Sequence, residues 1–263
     1  MCLIIIKNPN QNLVPSNMLS EVWERNSDGA GIIYKRHDSN NYQMVKGIMT
    51  LSGLEDMIGA LKLTKKDFIA YHLRYATSGK IDQAATHPFV IHEDAKHVNA
   101  LSVNDSSKTM FVMHNGVIHD LNDCKKQSDT QRFIMEYLSQ IPAKSIYKDD
   151  VIKALVEKFI DGSRLLITHG VHGAIMYGKW HSHNGYLISK PYAEATIKKK
   201  KKGQQFDFNW TPPYLQVESD EEWDWVDKQE HCEFCGQERE SVYNYETGSY
   251  LCTSCVQHFV ESF

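Results

Sequence analysis

The sequence predicts an α+β layered sandwich, rather than a doubly wound sheet, followed by a small separate cysteine module. Two observations predict it. Up to about residue 190, short β-branched runs alternate with helical patterns that carry their own caps. Near residue 197 the composition changes abruptly, and four of the six cysteines fall beyond that point as two Cys-x-x-Cys pairs.

The elements follow in order. Cys2 to Ile6 is an apolar, β-branched strand closed by Lys7-Asn8-Pro9-Asn10. Met18, Leu19, Val22 and Trp23 recur at helical spacing, so a helix is expected from about Asn17 to Arg25. Ser52 with Glu55 reads as a capping box ahead of Met57, Ile58 and Leu61. Asp67 to Tyr75 and Met110 to Met113 read as strands, and Ile32-Ile33-Tyr34 as another. Ser128-Asp129-Thr130 caps a helix carrying Phe133, Ile134, Tyr137 and Leu138, and a second helix is expected from about Asp149 to Ile160. Strands near Leu165–Thr168, Ala174–Tyr177 and Tyr186–Ser189 close the domain, with Gly-containing turns between them. The polar stretch His92 to Lys108 is longer than a strand connection requires and is expected to be an insertion.

Bulk properties narrow the function. A net charge of −4 and pI near 6.3 argue against a surface built as a whole for nucleic acid. The apolar opening run is five residues long, too short for a signal peptide or a membrane span, and no other window is apolar enough to cross a bilayer. A cytoplasmic protein with no membrane contact is expected. The cysteines do not form a secreted disulfide framework. Cys124, in the polar stretch Asn122 to Lys126, reads as a bystander.

Four polar motifs interrupt otherwise core-like strands. They are Arg25-Asn26-Ser27-Asp28-Gly29-Ala30-Gly31; His72-Leu73-Arg74-Tyr75-Ala76-Thr77-Ser78-Gly79 with Thr86-His87-Pro88-Phe89 after it; His114-Asn115-Gly116-Val117-Ile118; and Ser128-Asp129-Thr130. A cysteine opening an apolar strand is most often a small buried hydrophobe, and Asn-Gly alone is usually a turn. In order behind Cys2, however, the four motifs resemble the class II glutamine amidotransferases of the N-terminal nucleophile hydrolase superfamily, over about residues 2–190.

The resemblance implies a four-layer αββα sandwich of two antiparallel sheets as the domain 2–195. It implies that Cys2, freed by removal of Met1, attacks the side-chain amide of L-glutamine and gives glutamate and ammonia. The freed α-amine, with a reference pKa of about 7.7–8.0, can take the thiol proton. The Asn115 side chain and Gly116 N–H fall on the family's oxyanion hole, and Arg25 on the arginine that assists near the nucleophile. Arg74 matches the arginine that binds the α-carboxylate, a task suited to a bidentate guanidinium. Asp129 matches the acid that holds the α-ammonium. Thr77 and His87 match positions that line or support this pocket. Ser78 departs from members with His there, which bears on how the glutamine loop closes. His72 and His114 read as structural, and His169, His172, His181 and His183 lack the acid or thiol partners of a metal site.

After residue 195 the sequence reads as a charged linker, 196–228. It carries an unbroken lysine run at 198–202, then Trp210-Thr211-Pro212-Pro213, then the acidic Glu218-Ser219-Asp220-Glu221-Glu222. The tail 229–263 reads as a zinc ribbon. Cys232 and Cys235 are separated by sixteen residues from Cys252 and Cys255, with a hairpin between the pairs. Four thiolates make a closed structural Zn²⁺ site, and no cofactor is expected for catalysis. The acidic stretch favours docking on a protein, while the lysine run and the ribbon leave nucleic acid open. No synthase domain is legible, so a separate synthase is the expected acceptor of the ammonia. The alternatives are a hydrolase of γ-glutamyl amides or peptides, and a non-catalytic amidotransferase-fold adaptor that uses the ribbon.

Overall fold

The computed structural model describes residues 2–76, 81–121 and 127–196, together with the strands 229–231, 238–244 and 249–252. The first part runs β1 (Leu3–Lys7), α1 (Ser16–Trp23), β2 (Ala30–Lys35), β3 (Tyr42–Ile48), α2 (Leu51–Leu61), β4 (Phe68–Leu73), β5 (Phe89–Val90), α3 (Ala95–Val98), β6 (Ser102–Ser106) and β7 (Met110–Asn115). It continues with α4 (Asp129–Glu136), α5 (Ala143–Lys148), α6 (Asp150–Phe159), β8 (Arg164–His169), β9 (Gly173–Tyr177), β10 (His181–His183), β11 (Tyr186–Ile188) and α7 (Tyr192–Thr196).

These strands form two sheets, one of seven strands in the order β10-β11-β1-β4-β2-β3-β6 and one of four in the order β5-β7-β8-β9. Every pairing in them is antiparallel. The alternation of β1 shows why the sheets stack. Leu3 and Ile5 face one way, into a core with Met18, Leu19 and Val22 of α1 and Leu54 and Met57 of α2. Ile4 and Ile6 face the other way and meet Phe111, Met113 and Leu166 of the four-stranded sheet. That second sheet turns Val112, Leu165 and Ile167 outward onto Phe133, Ile134 and Val156 of α4 and α6. With both faces covered, β1 and β4 are apolar continuously, not alternately.

Local chemistry sets the helix starts. Ser128 accepts from Gln131 N–H while the Gln131 side chain accepts from Ser128 N–H, a reciprocal capping box that starts α4 as its sequence predicts. Asp149 caps α6 by accepting from Val151 and Ile152 N–H. The expected cap at Ser52 is corrected. Thr50 is extended and accepts from Gly53 N–H, which puts Ser52 inside the first turn of α2. A threonine one register earlier competes for the same orphan donors and takes them.

The expected insertion at 92–108 is corrected too. It supplies α3 and then β6, which pairs with β3 and completes one edge of the seven-stranded sheet. Its polarity is that of an edge strand with one partner. Beyond residue 196, β12 (Gln229–His231), β13 (Glu238–Asn244) and β14 (Ser249–Cys252) form a three-stranded antiparallel sheet. The expected hairpin is there, with Tyr243 opposite Tyr250 and Asn244 opposite Ser249. Cys252 ends β14, whereas Cys232, Cys235, Cys255, Cys124 and the linker 197–228 lie outside the described residues.

Candidate active site

Cys2 sits just ahead of β1, where that central strand leaves the sheet, and is only partly exposed. Its Sγ is held against one residue. Tyr75 N–H donates to the sulfur at 3.4 Å, and the thiol lies 3.7 Å from Tyr75 O. Tyr75 is there because β1 and β4 pair antiparallel with Leu3 opposite Leu73, so the segment following β4 runs past the start of β1.

The loop 26–29 locks that segment in place. Asp28 N–H donates to Arg74 O, Arg74 N–H donates to Gly29 O, and Asp28 Oδ2 accepts from Ala76 N–H at 2.8 Å. The Arg25 guanidinium stands 5.4 Å over the Tyr75 ring. Asn26, fully buried, donates to Val22 O at 2.8 Å and Ala195 O at 3.3 Å. Two sequence motifs, remote in the chain, thus form one wall.

Arg74 is 8% exposed, and burial pulls its pKa down while the charges of Cys2, Asp82 and Asp28 push it back up. Burial raises the Cys2 thiol. The Tyr75 hydrogen bond and the positive charges of Arg74 and Lys190 act against that rise. An arginine so placed can bind a carboxylate as well as steady a thiolate.

The four-stranded sheet contributes the opposite wall. Asn115 ends β7 and is buried, and its Nδ2 donates to Ser189 Oγ at 2.7 Å. The same hydroxyl accepts from Ile4 N–H at 2.8 Å, two residues from the nucleophile. Ser189 therefore ties the tip of β7 to β1 across the gap between sheets. Asn115 Oδ1 is buried and finds no hydrogen-bond partner among the described residues.

Gly116 follows at φ 155°, and a Cβ there would lie 1.9 Å from Ser163 Oγ. Only glycine fits, for steric reasons as much as for backbone freedom. Asp129 opens α4. Its Oδ2 accepts from Ile118 N–H at 2.7 Å and its Oδ1 from Thr130 N–H at 2.7 Å, so the carboxylate is fixed beside the Asn115-Gly116 turn. A carboxylate has lone pairs beyond these two bonds with which to hold an ammonium.

Three histidines fill the space behind the two walls. His114 Nδ1 bonds Thr130 Oγ1 at 2.8 Å, and His72 Nε2 lies 3.1 Å from His114 O. His87 stacks on His72 at 4.3 Å between ring centroids and sets its edge against Phe89. Neither ring nitrogen of His87 finds a hydrogen-bond partner among the described residues. Burial lowers all three pKa values, that of His72 to about 3, so the rings are neutral. His87 thus lies in the supporting layer, packed on His72, while Thr77 lies outside the described residues. Among the described residues no group of three or more His, Cys, Asp or Glu is placed to hold a metal ion.

Sequence reasoning missed Ser189 and Lys190. Both end an apolar strand as ordinary polar residues, and only the pairing of β11 with β1 brings them to Cys2. Ser189 N–H donates to Ile4 O, which extends that register toward the nucleophile. Lys190 is 3% exposed, donates to Asn26 Oδ1 at 3.4 Å, and has its pKa lowered to about 8 by burial and by Arg25. A lysine buried at a chain reversal was a legible signal, had its burial been known. Elsewhere, a cavity of about 530 Å³ is lined by Asn40, Asn41, Ser107, Gly170 and Val171, none of them nucleophilic in that setting or titratable.

No family model and no curated protein matches the chain. Among solved structures it is similar to glutamine phosphoribosylpyrophosphate (PRPP) amidotransferase from B. subtilis complexed with ADP and GMP, with 13% identity and a TM-score of 0.44. It is likewise similar to an enzyme described as the allosteric regulatory enzyme of purine biosynthesis, with 13% identity and a TM-score of 0.45. Each match covers 72% of this chain and 41% of the other, so the chain matches less than half the length of either enzyme. No helix among the described residues is long and apolar enough to cross a membrane.

Proposed function

We propose that the chain hydrolyses the side-chain amide of L-glutamine, with Cys2 as the nucleophile once Met1 is removed, and that a separate synthase consumes the ammonia. The observation that carries this reading is the Cys2 thiol set against Tyr75, with Arg74 beside it and the Asn115-Gly116 turn tied across to β1 through Ser189. The thiol attacks the amide carbon. The Asn115 amide and the Gly116 N–H receive the developing oxyanion, a role in which one donor is worth about 10²–10³ in kcat. Arg74 takes the α-carboxylate and Asp129 the α-ammonium, which distinguishes an amino acid from a generic amide. Ammonia leaves, and water then releases glutamate from the thioester.

The test is mass spectrometry of the N-terminus before and after treatment with a diazo-ketone analogue of glutamine. The expected result is a chain beginning at Cys2 with the label on its sulfur. Retention of Met1, or a label on another residue, overturns the reading. Release of an amine from γ-glutamyl peptides with no release of ammonia from glutamine would redirect it to that substrate class.

A further inference from the structure

We propose, on the footing of the glutamine-hydrolysing reading above, that Lys190 is the proton carrier of the reaction, taking the Cys2 thiol proton directly or through one water. Three features of the fold lead there. The pairing of β11 with β1, continued by the reciprocal bonds between Ser189 and Ile4, brings Lys190 level with the first residues of β1. The side chain is almost wholly buried, and the buried Asn26 amide accepts its Nζ proton. Asn26 is itself fixed by two backbone carbonyls, so the ammonium is aimed by a rigid group and not by a mobile surface partner.

The charges around Nζ fit a group that changes protonation. Arg25 disfavours the ammonium, while Cys2 and Glu194 favour it. Burial adds to the effect of Arg25, and the balance places Lys190 at about 8, whereas burial lifts the thiol of Cys2 above its ordinary value. Near neutral pH a fraction of Lys190 is the free amine, next to a thiol that will not ionise unaided. An amine with pKa close to the working pH is the efficient choice for such a transfer.

The step balances. As the S–C bond forms, the S–H proton passes to the Lys190 amine and the amide oxygen takes the negative charge. When the C–N bond breaks, the ammonium returns that proton to the leaving nitrogen as NH₃. In the second half the amine takes a proton from the attacking water. It gives that proton to sulfur as the C–S bond breaks, leaving glutamate, ammonia and the starting thiol. Its role duplicates what a free α-amine at Cys2 could do, and the two are separable by mutation.

The experiment compares the wild type with Lys190→Met and Lys190→Arg in two assays, each across pH 6 to 10. One is glutaminase kcat, and the other is alkylation of Cys2 by iodoacetamide, which needs no turnover. In the wild type both should rise through about pH 8. Both variants should lose about 10²–10⁴-fold in kcat, and their alkylation profiles should move up by a pH unit or more. Lys190→Arg separates roles, because it keeps the charge but cannot give up its proton.

Activity near wild type in Lys190→Arg would reduce Lys190 to electrostatics and overturn the proposal. An unchanged alkylation profile in Lys190→Met would assign the proton to the α-amine and overturn it as well. Thermal melts check the fold, and Lys190→Gln, which keeps a donor to Asn26, stands in if the Met variant does not fold. A wild type that alkylates with this profile but releases no ammonia would defeat the glutaminase reading while leaving the Lys190–Cys2 link standing.

Discussion

The two sheets bring opposite kinds of chemistry to the same place. The seven-stranded sheet and the segments leaving it deliver charge and reactivity, in Cys2, Arg25, Arg74 and Lys190. The four-stranded sheet delivers neutral donors on rigid backbone, Asn115 and Gly116, with Asp129 anchored on the helix beyond. Charged groups work here because they neutralise one another at short range once buried. Neutral donors work because the backbone that carries them cannot shift, and no long side chain could supply that. Between the walls the fold places His72, His87 and His114, polar but held neutral, so the interior gains hydrogen-bonding capacity without a further cation beside Arg74.

That division of labour makes distinct predictions for the two sides. The largest effect is expected from Cys2→Ala, which should lower glutaminase activity on the order of 10⁴-fold or more. Its Tm should stay close to wild type, because the sulfur's two contacts with Tyr75 are long. Residual turnover at a tenth of wild type would mean that the reactive side of the comparison is wrongly assigned.

On the neutral side, Asn115→Ala should cost about 10²–10³ in kcat with little change in KM, since an oxyanion exists only in the transition state. A rise confined to KM would place Asn115 among the binding groups instead. Asp129→Asn should act in the reverse sense. Loss of a charged hydrogen bond of about 1.5–3 kcal/mol corresponds to a rise in KM of roughly ten- to a hundredfold, with kcat less affected. Steady-state kinetics with glutamine separates these outcomes.

The smallest effect concerns the layer between the walls. His72 stays neutral in the fold down to about pH 3, whereas in the unfolded chain it titrates near 6.5. Between those values the unfolded state binds the extra proton, so stability falls as pH drops from 6.5 toward 3 and is unaffected above 7. His87 and His114, also lowered by burial, push in the same direction. A series of thermal melts against pH should show this decline, and His72→Gln should make it shallower. A Tm level down to pH 4 would show that these rings are solvated and the two sheets less tightly closed over them.

Much of this molecule was legible in the residues. The β-branched runs at Cys2–Ile6 and around Tyr71, the capping box at Ser128 and the hairpin near Tyr243 all form where their local chemistry puts them. The motif residues Cys2, Arg74, Asn115, Gly116 and Asp129 stood out because polar groups in core-like strands are costly to bury without a reason. Less legible were features that depend on a partner strand. Ser52 against Thr50 as a cap turned on one backbone bond, and 92–108 resolved into α3 and β6 only through pairing with β3.

What the sequence determined by itself is therefore the set of local preferences: which segments are strands, which residues start helices, and which polar groups interrupt the apolar pattern. The tertiary structure alone decided who meets whom. Ser189 and Lys190 look ordinary in the chain, and they reach Cys2 because β11, well over a hundred residues later, pairs with β1. His87 looks like a pocket residue in its motif and sits instead against His72, with no hydrogen-bond partner for its ring among the described residues. The physical reason is the same in both cases. Burial and electrostatic environment are properties of a neighbourhood, and a sheet assembles its neighbourhood from segments remote in the chain.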